Sequence, residues 1–217
     1  MPIVLLSGGQ DSTTALIWAM ENLSSPFYAI SFLYSQRHQV EIACARRIAG
    51  HFGIPHETID LGPLWQSLSI ETSLTAEKPI SYDPEGLPTT FVPGRNLFFL
   101  TAAAAWGYKR GETELVIGVS QVDYSGYPDC RAPFIAAAEK ALSEALARTM
   151  RIHAPFLYTD KAGLWKYAAE RGYREFIAEE THTCYLGERF HREPWGYGCG
   201  KCPACVLRKA GYEAAFG

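Results

Sequence analysis

The chain has no surplus of positive charge. Its 217 residues include 20 Lys and Arg against 23 Asp and Glu, which gives a net charge of −3 and an isoelectric point near 6.1. The longest basic runs are pairs, such as Arg46-Arg47 and Lys109-Arg110, so no strip of the chain offers the electrostatic footprint that binds RNA or DNA. We therefore expect no nucleic acid among its partners.

Long hydrophobic runs are also absent. The apolar stretches fall short of a bilayer span, and the N-terminus reaches apolar residues without a basic leader or a cleavage site. These absences predict a cytoplasmic protein without membrane contact. The six cysteines should be reduced in that compartment, so grouped cysteines are expected to bind metal rather than to form disulfides.

The first part of the chain alternates between strand patterns and helical patterns. Apolar and β-branched runs predict strands at 3–6, 27–34 and 56–60, and helical spacing of apolar residues predicts helices at 13–23 and 40–52. This alternation is typical of a parallel α/β sheet with right-handed crossovers. A chain that is 47% hydrophobic can bury one sizeable core, so we expect one main domain with a small appendage.

The remainder continues the alternation around two polar loops. The loop at 61–94 contains five prolines and room for a short helix near 64–68, and the second loop occupies 121–130. Helices are predicted at 96–108, 133–146 and 160–171, with strands at 114–119 and 152–157. The sequence thus predicts a doubly wound parallel sheet in residues 1–180, followed by a cysteine-rich module with a terminal helix in residues 181–217.

The segment VLLSGGQDSTTAL, at 4–16, passes from an apolar strand through a glycine-containing turn into a helix. Such a turn points several backbone N–H groups the same way, at the positive end of the helix dipole, where an anion binds. Gly8 and Gly9 permit close approach of phosphate oxygens, while Ser7 and Ser12 add hydroxyl donors. The turn lacks the lysine and spacing of a P-loop, so it suits holding the pyrophosphate end of ATP while the α-phosphorus is attacked.

A plainer interpretation of this turn is a tight strand-to-helix connection with an ordinary Asp or Ser cap. Asp11 would be repelled by phosphates unless Mg²⁺ lies between them or the carboxylate caps the helix. The position of the turn, at the end of the first strand of an open α/β sheet, favours the functional interpretation, because ligands bind there.

Three polar side chains at predicted helix starts are further candidates. Arg95, after a proline turn, could hold a phosphate or a carboxylate through two hydrogen bonds, with Asn96 beside it. Lys161 could reach the cleft and neutralise phosphate charge. The alternatives are that Arg95 is a surface charge, that Asn96 is a simple helix cap and that Lys161 is a solvated surface residue.

The loop GVSQVDYSGYPDCR, at 118–131, follows a predicted parallel strand, so its polar side chains should reach the same sheet edge as the glycine turn. Asp123, Tyr124, Asp129 and Arg131 are therefore candidate ligand contacts, with Tyr127 beside them. The alternative is a polar loop held by Asx turns.

Four cysteines near the C-terminus have the spacing C-x₁₄-C-x₂-C-x₂-C, which fits four sulfurs around a tetrahedral Zn²⁺. An iron–sulfur cluster competes, since the last three also resemble the start of a ferredoxin run. His182 and His191 could replace one sulfur but are expected to stay outside the metal's ligands. Cys130 is expected to pack rather than to react. The predicted metal ligands are Cys184, Cys199, Cys202 and Cys205.

The hexapeptide SGGQDS resembles the signature of the PP-loop ATP pyrophosphatases. Together with SQRH (35–38), FVPGRNLFFLTAAA (91–104), GVSQVDYSGYPDCR and CYLGERFHREPWGYGCGKCPACVLR (184–208), it resembles the 7-cyano-7-deazaguanine synthase family, and the likeness spans residues 4–208. This chain has Ser35 where the family pattern usually has glycine, and a longer stretch after Cys184.

The resemblance implies an adenine nucleotide alpha hydrolase-like, Rossmann-like fold, a homodimer, and a structural zinc ion. It implies that ATP and Mg²⁺ are bound by Leu6, Ser7, Gly8, Gly9, Gln10, Asp11, Ser12, Thr13, Arg37, Gly94 and Arg95. It implies catalytic roles for Ser7, Asp11, Ser12, Arg95 and Lys161, and substrate contacts from Asn96, Asp123, Tyr124, Gly126, Tyr127, Asp129 and Arg131.

The reaction implied by the resemblance converts 7-carboxy-7-deazaguanine and ammonia to 7-cyano-7-deazaguanine through an adenylated acid and an adenylated amide. Free ammonia is expected as the nitrogen donor because no glutaminase signature is evident. Two alternatives remain: a PP-loop tRNA-modifying enzyme such as a thiolase or lysidine-type ligase, and a relative that modifies a protein or only binds ATP. The acidic balance of the chain argues against the first.

Overall fold

The computed structural model describes residues 1–84, 86–122 and 126–217. Five parallel strands form one sheet in the order β3-β2-β1-β4-β5. The strands are β1 (Ile3–Leu5), β2 (Tyr28–Leu33), β3 (His56–Asp60), β4 (Glu114–Ile117) and β5 (Arg151–His153). The helices are α1 (Gln10–Asn22), α2 (Val40–His51), α3 (Gly62–Ser67), α4 (Arg95–Tyr108), α5 (Ala132–Leu146), α6 (Lys161–Glu170), α7 (Arg174–Glu180) and α8 (Pro203–Phe216).

Side chains of the central strands alternate between two apolar layers, which makes the sheet doubly wound as predicted. Ile3 and Leu5 pack in the layer that contains α4 and α5, whereas Val4 packs in the layer that contains α1, α2 and α6. Burial of each such side chain stabilises the fold by about 1.5–3 kcal/mol. A strand covered on both faces needs apolar side chains at nearly every position, as β1 has.

The strand order reverses beside β1. The chain proceeds from β1 to β2 and β3 on one side, then returns to place β4 and β5 on the other. The connections that follow β1 and β4 therefore run to opposite faces and leave a crevice at the carboxyl ends of these strands. The glycine turn at residues 7–9 and the N-terminus of α2 both lie at this edge, because each follows a parallel strand.

Most predicted elements are confirmed within a few residues, and β3 is confirmed at both ends. The predicted strand at 152–157 is wrong beyond His153, because Pro155 has no N–H to donate to a neighbouring strand. Helix α1 starts at Gln10 rather than Thr13, and Gly9 is its N-cap. The alternative interpretation, in which an Asp or Ser side chain caps this helix, is therefore wrong. Helix α7 was not predicted.

Ser35, in the turn after β2, has a φ of 62°. This left-handed conformation favours glycine, the residue that the resembled family usually has here, and holding a serine in it costs about 1 kcal/mol. The substitution therefore leaves the turn in place at a modest energetic cost.

The C-terminal segment packs against the main sheet layer. Helix α8 lies along α6, and a two-residue ribbon of β6 (Arg192–Glu193) and β7 (Gly196–Tyr197) precedes it. Trp165 of α6 and Trp195 lie in one apolar cluster with three of the four grouped cysteines. The boundary near residue 180 stays a prediction. Among the described residues, no helix is both long and apolar enough to cross a membrane.

Candidate active site and metal centre

The glycine turn is fixed by close packing and by its own hydrogen bonds. Gly8 has a φ of +87°, and a Cβ built on it would lie 2.1 Å from the backbone oxygen of Glu41. The hydroxyls of Ser7 and Ser12 lie 2.9 Å apart, and Ser12 Oγ also accepts from Ser7 N at 3.1 Å. Thr13 Oγ1 donates to Gly9 O at 2.8 Å. The turn is therefore rigid before any ligand arrives.

The start of α1 has the composition and the geometry that an anion site requires. No side chain among the described residues caps this helix, whose N-cap is Gly9. Its first-turn N–H groups thus face the cavity at the positive end of the helix dipole. The side-chain amide of Gln10 is 1% exposed, and neither its nitrogen nor its oxygen has a partner in the described part of the chain. A buried amide in this condition indicates a place for a polar ligand or water.

The buried Lys161 and the partly exposed Asp11 form an ion pair at this helix end. Lys161 Nζ donates to both carboxylate oxygens of Asp11, at 2.7 and 2.6 Å, and only 8% of the lysine side chain is exposed. Lys161 is the first residue of α6 and lines the same cavity. It is thus not a solvated surface lysine. The pairing neutralises the carboxylate that would otherwise repel a phosphate from the glycine turn.

Arg95 faces the glycine turn from the start of α4. Its guanidinium carbon lies 5.9 Å from the ring centroid of Tyr34 and 5.8 Å from that of Tyr127. Burial acts to lower the pKa of Arg95, but neighbouring acidic groups, led by these two phenols, hold it above its usual value. No carboxylate in the described part of the chain forms an ion pair with Arg95, so its cationic face is available to a bound anion in the cavity.

Asn96 and Asp129 hold each other at the start of α4. The Asn96 backbone N–H donates to Asp129 Oδ2 at 2.9 Å, and Asn96 Nδ2 donates to Asp129 O at the same distance. Tyr127, in the same loop, has its hydroxyl 2.6 Å from Thr90 Oγ1. The interactions join the loop before α5 to α4 and position Arg95 beside Tyr127.

These groups line one cavity of about 260 Å³ at the carboxyl ends of β1 and β4. Of the predicted site residues, the cavity wall includes Leu6, Ser7, Gly9, Gln10, Asp11, Ser12, Arg95, Asn96, Tyr127 and Lys161. The predicted residues outside that wall are Gly8, Thr13, Arg37, Gly94, Gly126, Asp129 and Arg131. Arg37 is exposed, and Arg131 donates to Gly126 O. Asp123 and Tyr124 lie outside the described residues.

Several cavity residues were missed from the sequence, among them Tyr34, Glu41 and Tyr185. Burial raises the pKa of Glu41 to about 7, an effect that Arg95 opposes and Cys184 reinforces. Glu41 lies in the first turn of α2, after β2. The rule that helix starts following parallel strands face the ligand edge could have identified it. Tyr185 follows Cys184, a candidate metal ligand, and had no such signal.

The four grouped cysteines converge as the spacing predicts. Their sulfur atoms all lie within 4.8 Å of one another, and Cys199 Sγ is 3.9 Å from Cys205 Sγ. A tetrahedron with Zn–S bonds of about 2.3 Å has S–S edges of about 3.8 Å, so the set fits zinc. Hydrogen bonds from Cys202 and Cys205 lower the pKa of Cys184, as expected where thiols share a thiolate.

The two candidate histidines are not part of this sulfur cluster. The buried His182 ring contacts Cys184 O through Nε2 at 3.2 Å and lines the cavity. His191 lies on the surface with Glu188. The backbone N–H groups of Lys201 and Cys202 both donate to Cys199 Sγ, at 3.4 and 3.3 Å, which stabilises negative sulfur.

Arg208 of α8 is a fully buried cation that sequence analysis did not single out. It donates to Trp195 O at 2.8 Å, Thr183 Oγ1 at 2.9 Å and Ile177 O at 2.9 Å. Burial lowers its pKa to about 10. The guanidinium thus ties the cysteine-rich segment to the end of α7.

Replacing Arg208 by methionine should remove these three donors and leave their acceptors buried without partners. We expect the free energy of unfolding to fall by about 3 kcal/mol, as measured by denaturant melts. The control is Lys209→Met on the exposed side of the same helix. If Arg208→Met lowered the free energy of unfolding no more than the control does, the hydrogen bonds of Arg208 would not stabilise the fold.

Cys130 should be chemically inert in the folded chain. It is 7% exposed, and burial, reinforced by Asp129, raises the pKa of its thiol to about 12. Thiolate is the reactive species, so we expect iodoacetamide at mildly alkaline pH to leave Cys130 unmodified until the protein is denatured. Peptide mass spectrometry measures this, and labelling in the native state at the denatured rate would show that the prediction is wrong.

Nearly the whole chain is similar to one known protein family. The sequence model of the family described as "Queuosine biosynthesis protein QueC" matches residues 1–216. A Bradyrhizobium protein named 7-cyano-7-deazaguanine synthase is 46% identical, over 99% of this chain and 95% of its own length. A protein of the same name from Hyphomonas neptunium is 48% identical, over 97% of this chain and 92% of its own length.

A solved structure shows the fold independently of close sequence similarity. The NH3-dependent NAD synthetase from Campylobacter jejuni matches with a TM-score of 0.52 at 9% identity, covering 81% of this chain and 66% of that one. At such identity the likeness concerns the fold alone. The family model and the two sequence relatives span nearly the whole chain, glycine turn and cysteine cluster included, and this chain therefore belongs to the family of the queuosine biosynthesis protein QueC.

Proposed function

We propose that this chain converts 7-carboxy-7-deazaguanine and ammonia to 7-cyano-7-deazaguanine at the expense of ATP, in queuosine biosynthesis. The observation that carries the proposal is that two helix starts line one cavity. One offers backbone N–H donors, and the other offers a cationic side chain. The uncapped start of α1 supplies donors for a triphosphate, and Arg95 at the start of α4 faces it between two phenol rings. A nucleotide and a flat carboxylic acid fit these two sides.

The phosphate side would act by positioning and charge stabilisation. The first-turn N–H groups of α1 and the hydroxyls of Ser7 and Ser12 would hold the phosphates, with Lys161 neutralising charge that develops on the leaving pyrophosphate. Mg²⁺, which supplies further charge neutralisation when bound with ATP, would be held by Asp11, whose carboxylate oxygens keep lone pairs beside those that accept from Lys161.

The acid would lie between the aromatic rings. Its carboxylate would bind Arg95 and its ring would stack on Tyr127, with Asn96 beside it at the cavity wall. The remaining predicted contacts stay proposals: Gly126, Asp129 and Arg131 in the segment before α5, and Asp123 and Tyr124, which lie outside the described residues.

The reaction then proceeds through two activations. The carboxylate attacks the α-phosphorus of ATP and releases pyrophosphate, ammonia displaces AMP to give the amide, and the amide oxygen attacks a second ATP. Loss of the second AMP with the amide protons leaves the nitrile. One phosphate-binding turn serves both activations, and no protein nucleophile is required, in keeping with the inert thiol of Cys130.

The sulfur cluster would hold a structural zinc ion, because four thiolates leave no open coordination position for catalysis. We further propose a homodimer in the cytoplasm, on the strength of the family resemblance.

Incubation of the purified chain with ATP, ammonium and the carboxylic acid tests the proposed function. We expect a mass-spectrometric signal for the nitrile that requires all three reactants and is preceded by the amide. Arg95→Gln should reduce nitrile formation by about 100-fold, because it removes the charge that holds the acid. Absence of both amide and nitrile under saturating reactants would contradict the proposal.

A further inference from the structure

The cavity wall contains a carboxylate that none of the proposed phosphate or ring contacts uses. Glu41 lies in the first turn of α2 and lines the cavity. Within the described ranges of the chain, its carboxylate has neither a hydrogen bond nor an ion pair. Asp11 differs in this respect, since Lys161 holds both of its oxygens.

Packing places Glu41 directly beside the phosphate-binding turn. The space that a Cβ on Gly8 would need is taken by the backbone oxygen of Glu41, 2.1 Å away. Groups from other elements also act electrostatically on its carboxylate: Arg95 from α4, Tyr34 from the turn after β2, and Cys184 and Tyr185 from the C-terminal segment. Cys44 does so from α2 itself. The backbone of Glu41 therefore packs against the turn proposed for ATP, and its side chain lines the cavity that Arg95 also lines.

The proposed reaction needs a proton acceptor at this place. Ammonia is present at neutral pH almost wholly as ammonium, which has no lone pair with which to attack an acyl-adenylate. The cavity also has a polar surface suited to a small cation, since the carbonyl oxygen of the unpartnered Gln10 amide can accept an N–H. His38 and His182 also line the cavity, and their buried Nδ1 atoms likewise lack partners in the described part of the chain, so the test must distinguish Glu41 from them.

We propose that Glu41 binds ammonium and removes its proton, supplying ammonia for attack on the activated acid. The proposal rests on the proposed function. Glu41 accepts one proton, and the freed nitrogen lone pair forms the C–N bond to the carbonyl carbon. The C–O bond to the nucleotide breaks with its electron pair leaving on AMP, and the nitrogen gives a second proton to water. Ammonium and acyl-adenylate thus yield amide, AMP and two protons.

The environment of Glu41 favours this task. Its pKa is raised to about 7 by burial, and a base whose pKa is near the working pH combines a populated ionised form with useful basicity. A fully solvated carboxylate would be ionised but too weak a base for ammonium.

The test compares Glu41→Gln with the unaltered chain in three assays. The first is acid-dependent exchange of labelled pyrophosphate into ATP, which involves no amine. The second is amide and nitrile formation from ammonium. The third is hydroxamate formation from hydroxylamine, which is mostly neutral at neutral pH and needs no base. We expect Glu41→Gln to keep the first and third rates and to lose about 100-fold in the second.

Two further variants keep the test independent of folding. Glu41→Asp retains a carboxylate and should recover part of the ammonium rate. Glu144→Gln makes the same chemical change on exposed α5 and should leave all three assays unchanged. The role of Glu41 would be overturned if Glu41→Gln lowered the rates with ammonium and with hydroxylamine equally. It would also be overturned if the variant lost pyrophosphate exchange as strongly as the reaction with ammonium. Absence of acid-dependent exchange in the unaltered chain would overturn the proposed function itself.

Discussion

Gly8→Ala is expected to abolish the ATP-dependent reaction while leaving most of the sheet folded. The added Cβ would lie 2.1 Å from Glu41 O and 2.8 Å from Ala45 N, both backbone atoms that cannot rotate away. Alanine is also strained at a φ of +87°. The turn or the start of α2 must therefore move, and the donors for the phosphates move with it. We expect an activity loss of about 1000-fold and a stability loss of about 3 kcal/mol.

Gly53→Ala is the matched control for this substitution. Gly53 also has a positive φ, of +64°, but a Cβ there meets nothing within 4 Å. It should lose only about 1–2 kcal/mol from backbone strain and keep full activity. Steady-state kinetics and denaturant melts of both variants measure the difference. If Gly8→Ala behaved like the control in both, the turn would not be the phosphate site.

Loss of one grouped thiol should have the largest effect on stability. Cys202→Ser leaves three sulfurs, and the apolar cluster that contains Trp165, Trp195 and the remaining cysteines loses its central cross-link. Because a structural zinc ion contributes folding energy directly, we expect the free energy of unfolding to fall by on the order of 5 kcal/mol. The unaltered chain should contain one zinc ion, and the variant much less than one.

Elemental analysis and thermal melts with and without a chelator make this measurement. Cys44→Ala, at a buried thiol of α2 outside the cluster, should keep the zinc ion. Iron and sulfide in the purified chain would support a cluster instead of zinc. A Cys202→Ser variant with full zinc content and unchanged melting would contradict a structural metal at this place.

The parts of the fold that depend on local patterns could be predicted from the sequence. The apolar run of β1 and the amphipathic spacing of the helices predict which faces are buried. The alternation of strands and helices predicts a parallel sheet. Three features of the candidate site are short sequence patterns that indicate their chemistry, so they could be identified from the sequence. They are the glycine turn, Arg95 at a helix start and the spacing of the four cysteines.

Features that depend on tertiary contacts could not be predicted. Nothing in the local sequence shows that Arg208 is buried against three backbone and hydroxyl acceptors from distant segments. The pairing of Asp11 with Lys161 joins residues 150 positions apart. The cavity position of Glu41 depends on how α2 packs beside Gly8, and a single glutamate in a helical pattern is otherwise typical of a surface.

The central claim is that this cavity activates a carboxylate by transferring an adenylyl group to it. The most direct measurement follows the oxygen atoms of 7-carboxy-7-deazaguanine labelled with heavy oxygen at the carboxylate. Attack at the α-phosphorus predicts nitrile without label, AMP that carries one heavy oxygen per molecule, and pyrophosphate that carries none. Release of ADP with labelled inorganic phosphate would place the attack at the γ-phosphorus and contradict the account.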